Sequence, residues 1–270
     1  MKIDILSDLH FDYYFKQIYS SKVDVRKTYD KYFLKDGREI GDVLVVAGDL
    51  GHNNQQNISL LDMIKRIYGY KAIICVLGNH DYCLVNRIME DDYDDSFARA
   101  DEMKKLINDK EGIYCLDGDV IEIDGIRFGG AMGWYSSAFS RTYFPLAGIE
   151  GMNGMWKVLM PEGKQFKGIK NFDDPYKIEL PKIEAVYQKC DVMITHINPS
   201  FLAEHISQEY RNNRSTTFYC FNGHEFLKNT TAKHWIFGHT HSSYSYEFEG
   251  VQCHVNAYEL YKSNMKSIEI

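Results

Sequence analysis

Five short runs of apolar, largely β-branched residues each stop abruptly at polar, chemically capable side chains, and this constrains the fold more than any other feature. Lys2–Ser7 runs into Asp8-Leu9-His10, Asp42–Ala47 into Gly48-Asp49, and Lys71–Leu77 into Gly78-Asn79-His80-Asp81. Asp191–Thr195 runs into His196, and His234–Phe237 into Gly238-His239-Thr240-His241. Runs of this length and branching read as buried strands. Helical patterns lie between some of them, at 57–69, 97–110 and 179–189. The alternation predicts an α/β layered fold with a largely buried sheet, in which ligands bind beyond the carboxyl ends of the strands. All five polar clusters sit at such ends.

Other segments organise the rest. Val120–Ile123, Asp124-Gly125 and Ile126–Phe128 read as a hairpin, and a second pair turning at Glu249-Gly250 is expected near 243–255. From Gly133 to Asp174 the periodicity fades into mixed aromatic, Gly and Met residues, with Lys157, Lys164, Lys167 and Lys170 among them. This is expected to be a cap or lid excursion over the site, because long structureless stretches in a domain are usually functional. Phe11–Ile40 reads as a second long connection. The lysines at 157, 164 and 167 are candidates for substrate phosphate, with a solvated face the preferred reading.

The chain of 270 residues fits one domain, 1–270, large enough for a sizeable core. A net charge of -7 argues against a large nonspecific nucleic-acid footprint. The start Met1-Lys2-Ile3-Asp4 has no signal-peptide character, and no stretch approaches the ~18 apolar residues of a membrane span. Six cysteines are scattered without a CxxC pair, which predicts buried reduced thiols and a cytoplasmic protein.

Each polar cluster alone is weak. Asp-x-His is commonly a turn, Gly-Asp a turn, Asn-His-Asp a helix cap, and a lone strand-end histidine a structural one. Gly-His-Thr-His says more, since alternate side chains on an extended segment face one centre. Together the ends carry Asp8, Asp49, Asn79 and four histidines (His10, His196, His239, His241). Imidazole and carboxylate without thiolate suit zinc, manganese or iron.

The five blocks, in this order, resemble the calcineurin-like metallophosphoesterases, whose pattern is Asp-x-His, Gly-Asp, Gly-Asn-His-(Asp/Glu), an isolated His and Gly-His-x-His. The resemblance spans residues 1–255. It implies a four-layer α/β/β/α sandwich with two metal ions (Mn, Fe or Zn) between the sheet ends. It further implies that Asp8, His10 and His241 hold one ion, that Asp49 bridges, and that Asn79, His196 and His239 complete the second site. His80 would face the substrate phosphate unligated, as a catalytic acid, with Asp81 orienting its ring. Paired ions ~3.5–4 Å apart call for such a bridging carboxylate.

One departure concerns specificity: the residue after the isolated histidine is Ile197, where many relatives differ, so substrate choice does not carry over. His52 is either a surface histidine, the preferred reading, or an extra pocket residue. His205, His224, His234 and His254 are weaker site candidates, with His254 close to the metals only if the last hairpin brings it there. The expected activity is hydrolysis of a phosphomonoester or phosphodiester, with a small or nucleotidic substrate favoured and no obligate nucleic-acid or membrane partner. The alternatives are a Ser/Thr phosphoprotein phosphatase, a nuclease, or, least favoured, a non-catalytic scaffold, which would be expected to have lost His80 or some ligands.

Overall fold

A computed structural model describes residues 1–15, 21–34, 39–257 and 265–270. Eleven strands run through these residues: β1 Lys2–Leu6, β2 Val43–Ala47, β3 Ala72–Val76, β4 Ile113–Cys115, β5 Asp119–Ile123, β6 Ile126–Gly130, β7 Val192–Ile194, β8 His234–Phe237, β9 Ser243–Phe248, β10 Val251–Asn256 and β11 Lys266–Glu269. They form two sheets, ordered β11-β1-β2-β3-β4 and β5-β6-β7-β8-β10-β9. The interior neighbours pair in parallel, while β11, β5 and β9 join antiparallel at the edges. All five anticipated strands are present, and their carboxyl ends gather at one rim.

Side-chain parity explains the layers. Ile3, Ile5, Val43, Val45, Ala47, Ile74 and Val76 of the first sheet pack against Phe128, Val192, Ile194 and Ile236 of the second. The alternate residues Leu6, Leu44, Val46, Ile73 and Cys75 face away from that seam, as do Met193, Trp235 and Phe237. They meet the helices, so strands with two buried faces become continuous apolar runs. Helices Asn54–Tyr68 and Ser96–Asn108 cover the first sheet, and helix Asp174–Val186 covers β5 and β6. The architecture is the expected α/β/β/α sandwich.

Local chemistry sets the helix starts. Asn53 accepts from the Gln56 amide and Asp95 from the Ala98 amide, each satisfying an orphan N–H. Gly69, with φ 75°, ends the first of these helices. The Asp174–Val186 helix begins five residues before the apolar period suggests, because Pro175 in its first turn is pre-set for helix without showing as periodicity. Both hairpins turn where expected, with Asp124 and Gly125 at φ 49° and 81° and Glu249 and Gly250 at 52° and 80°.

Two expectations change. The 133–174 stretch is not structureless: it contains helices Ala138–Tyr143, Gly148–Leu159 and Glu162–Gln165. Glycines 148, 151 and 154 within one of these helices, and the shortness of the others, hide the helical period. Trp134, Tyr135, Trp156 and Phe172 are buried core residues of this stretch. Trp156 Nε1 donates to the Tyr135 hydroxyl (2.5 Å), which donates to Glu162 Oε1 (2.7 Å). Within the described part of Phe11–Ile40 the chain is likewise helical, at Phe11–Tyr14 and Lys22–Tyr32. All six cysteines are buried and unpaired, as expected. Among the described residues no helix is long and apolar enough to cross a membrane.

Candidate metal centre

The backbone turns sharply at the strand ends. Among the described residues seven non-glycine positions have positive φ; two are the hairpin positions, and the other five are Asp8, His10, Asp49, His239 and His241, at 41–65°. Left-handed backbone costs an L-residue about 1–2 kcal/mol, and Asp and His are among the residues that tolerate it best. Its concentration here marks a site whose geometry is held by its surroundings. The loops are laced together: the Asp8 amide donates to Gly48 O (2.9 Å), His10 to Asp49 O (3.0 Å) and Gly238 to His196 O (2.9 Å). Gly48 and Gly78 permit the closest approaches, since a Cβ on the first would strike the His196 ring and on the second the Asp49 carboxylate.

All seven anticipated ligand side chains converge. Asp8, Asp49, His196 and His239 offer donor atoms within metal-binding reach of one another, as do Asp8, His10 and His241. Asn79 Oδ1 lies 2.9 Å from His196 Nε2. Asp49 Oδ2 faces His196 Nε2 at 3.5 Å and His10 Nε2 at 3.9 Å, and Asp8 Oδ1 faces His241 Nε2 at 3.7 Å. These separations are too long for good hydrogen bonds. Both oxygens are buried without a hydrogen-bond partner. Two unpartnered buried carboxylate oxygens ringed by imidazoles are costly unless a cation sits among them, so the donor set fits metal ions. The outer atoms are already assigned: His196 Nδ1 lies 2.7 Å from Ala47 O and His239 Nε2 lies 2.8 Å from Phe218 O. Each ring N–H given to a carbonyl leaves the other nitrogen's lone pair toward the centre.

Burial opposes ionisation of Asp49, but His196, His80 and His10 outweigh it and hold the carboxyl well below its usual range. Burial likewise opposes a charge on His196, yet Asp49 draws the ring up to about 9. Burial pushes His10 down to about 4 and His239 well below the ordinary histidine value.

Asp81 does not orient His80. Its Oδ2 accepts from the amides of Gly78 (2.8 Å) and Asp49 (3.0 Å), and its Oδ1 from Leu50 (3.0 Å) and Gly51 (3.2 Å). The turn that carries His80 rolls the next side chain under the Gly48–Gly51 loop, so Asp81 clamps two ligand loops together. Burial, then the nearby Asp49 charge, raises its carboxyl to about 6. The His80 ring meets His52 instead, Nδ1 to Nε2 at 3.1 Å, and Asp12 Oδ2 lies 2.9 Å from His52 Nδ1. His52 is therefore a half-buried neighbour of the site, against the surface reading. His80 also offers a donor atom to a third potential group with His10 and Asp49.

Arg99 is a site-supporting residue that sequence reasoning missed. Fully buried, it donates from Nη1 to His80 O (2.9 Å) and Cys83 O (3.0 Å) and from Nη2 to Gly51 O (2.9 Å). In sequence it is one charged residue on an amphipathic helix, with nothing to mark it. Tyr135 and Tyr219 wall His239, their ring centroids 6.2 and 4.9 Å from it.

The remaining candidates lie elsewhere. His205 Nδ1 and His224 Nε2 both lie within hydrogen-bond distance of Ser200 Oγ, at 2.8 and 2.9 Å. His254 contacts His234 (3.1 Å) and Ser245 (3.2 Å), and joins none of the metal-competent groups of the described residues. Lys157, Lys164 and Lys167 are exposed, as their preferred reading has it.

Residues 1–243 match the calcineurin-like phosphoesterase family. The chain belongs to that family. No curated protein matches the sequence of this phosphoesterase. Among solved structures it is similar to a phosphopantetheinyl hydrolase from Mycobacterium tuberculosis, with TM-score 0.63 and 15% identity over 95% of this chain and 88% of that one. A putative 5'-nucleotidase from Staphylococcus aureus aligns with TM-score 0.40 and 14% identity, covering 94% of this phosphoesterase and 48% of that chain. An archaeal phosphodiesterase aligns with TM-score 0.35 and 15% identity over the whole of both chains. At these identities the first likeness concerns the fold.

Proposed function

We propose that this phosphoesterase hydrolyses a phosphomonoester or phosphodiester at a two-metal centre held by Asp8, His10, Asp49, Asn79, His196, His239 and His241. The observation that carries the reading is the pair of unpartnered buried oxygens, Asp8 Oδ1 and Asp49 Oδ2, within 3.5–3.9 Å of three imidazole nitrogens. Asp49, facing both His10 and His196, suits the bridge. When bound, paired manganese, iron or zinc ions activate water and neutralise phosphoryl charge.

The protein's own groups do the rest. Ala47 and Phe218 carbonyls fix the ring orientations of His196 and His239. Asp81 and Arg99 fix the loops that carry Asp49 and His80. His80, partly exposed beside the ligands, stands free to give a proton to the leaving oxygen. The 133–174 segment, through Tyr135, forms a wall beside His239 and favours a small or nucleotidic substrate over a protein surface.

Metal analysis after manganese or zinc loading, followed by assay of phosphomonoesters, phosphodiesters, cyclic nucleotides and phosphopeptides, tests this. Two ions per chain and turnover of at least one small ester class are expected. One ion or none, or activity confined to phosphopeptides, would overturn the respective part.

A further inference from the structure

We propose that Asp12 and His52 are positioning residues that fix the tautomer and aim of His80, replacing the role expected of Asp81. The inference rests on the phosphoesterase reading for its consequence in catalysis, but its geometry stands apart from it. Three side chains from three segments line up: Asp12 Oδ2 to His52 Nδ1 at 2.9 Å, and His52 Nε2 to His80 Nδ1 at 3.1 Å. Asp12 Oδ1 also accepts from the His52 backbone amide (3.3 Å), so the carboxylate grips ring and main chain together.

The direction of each bond follows from what the atoms can do. A carboxylate only accepts, so His52 Nδ1 carries the hydrogen and donates it to Asp12. In the neutral ring His52 Nε2 is then a lone pair and accepts from His80 Nδ1–H. His80 Nδ1 is thereby committed, which leaves His80 Nε2 as the atom that gives a proton to the leaving oxygen. After the transfer His80 is neutral, with its remaining hydrogen still on Nδ1 and still bonded to His52, so the ring keeps its aim for the return of a proton.

The surroundings are built for the approach of Asp12. Gly51 has φ 146°, and a Cβ there would sit 2.7 Å from Asp12 Oδ1. His52 also lies against the His10 ring, with centroids 6.4 Å apart and planes 23° from parallel. Its far side, with Asp12, Asn53, Asn86 and Tyr93, lines an open groove of about 390 Å³.

The variants Asp12→Asn, His52→Ala and His52→Gln separate positioning from simple structure. In Asp12→Asn the amide oxygen stays on the His52 N–H, the amide NH₂ faces Nδ1, and His52 is driven to the Nε2–H tautomer. Ring ¹⁵N NMR of the metal-free protein is expected to show His52 protonated at Nδ1 in the wild type and at Nε2 in Asp12→Asn. With manganese, Asp12→Asn and His52→Ala are expected to keep both ions and their KM, and to lose about 10- to 100-fold in kcat on esters with poor leaving groups. On activated aryl esters the loss should be under about threefold, because little protonation is needed. His52→Gln, whose carbonyl oxygen accepts from His80 Nδ1–H, should recover much of the kcat. A wild-type His52 protonated at Nε2, or variants equally impaired on activated and unactivated esters, would overturn the proposal. A wild type inactive on every ester would instead overturn the phosphoesterase reading, and the NMR result would still decide the relay.

Discussion

Replacing Arg99 with Met tests the claim that one buried cation holds the ligand loops in register. The guanidinium is fully buried and makes three charge-assisted hydrogen bonds, to the carbonyls of Gly51, His80 and Cys83, at 2.9–3.0 Å. Methionine fills much of the volume but donates nothing. Cys83 O loses its donor at about 1–3 kcal/mol, whereas Gly51 O keeps the Asn57 side-chain amide (2.8 Å) and His80 O the Cys83 backbone amide (3.2 Å), so these two lose only the charge-assisted bond, and the neutral side chain avoids part of the desolvation cost. Arg99 is also a cation near Asp81, whose buried carboxylate would lose that support. A net destabilisation of about 3–5 kcal/mol is expected, near the value for removing one partner of a buried charged pair. Urea unfolding of metal-free wild type and Arg99→Met measures it as a shift of the midpoint at constant slope. Arg99→Lys should fall between them, because an ammonium does not reproduce the planar fork that reaches both loops. A loss under about 1 kcal/mol in Arg99→Met, with metal content and turnover retained, would refute the reasoning, since solvent or rotation of the loops would then be satisfying the carbonyls.

Three further outcomes follow from the site and the core. Asp49→Asn is expected to lose metal from both positions and nearly all turnover, whereas His241→Ala should empty one position; metal analysis of the purified variants checks this. His80→Ala is expected to keep two ions and lose about two to four orders of magnitude in turnover on unactivated esters; loss of an ion would instead make it a ligand with His10 and Asp49. Away from the site, burial, with help from Lys266 and His234, pushes His254 down to about 4. The unfolded chain binds that proton near pH 6.5 and the folded one does not, so stability should fall as pH drops from about 6.5 towards 4. His254→Gln should remove about 2 kcal/mol of that decline, read by urea unfolding at pH 7 and pH 4.5.

The strand cores were legible because both faces of β1, β2, β3, β7 and β8 are buried, which writes each as an unbroken apolar run. The same burial made their ends conspicuous, and the seven residues gathered at the centre are those that interrupt or follow the runs. What escaped detection depends on contacts between segments distant in sequence. Asp12 and His52 are 40 residues apart, and Arg99 reaches Gly51 across 48. The place of Asp81 is not legible because adjacency in sequence suggests adjacency of side chains, whereas the one-turn helix Asn79–Tyr82 turns it toward the backbone amides. β11 leaves no mark in the sequence, since Lys266–Glu269 is polar and half-exposed, supported by pairing with β1 and not by its own pattern. The helices of 133–174 are short and glycine-broken, so they owe their stability to buried aromatics that no local period announces.

The division of the seven convergent side chains between the sheets has a consequence for how the protein comes into being. Asp8, His10, Asp49 and Asn79 follow strands of the first sheet, while His196, His239 and His241 follow strands of the second. A growing chain emerging from the ribosome would display its acidic half-set early and stay without the imidazoles of the second sheet until residue 241 had been made and the sheets had closed on one another. Metal acquisition would then be a late event, one that reports a completed sandwich and rivets its two halves.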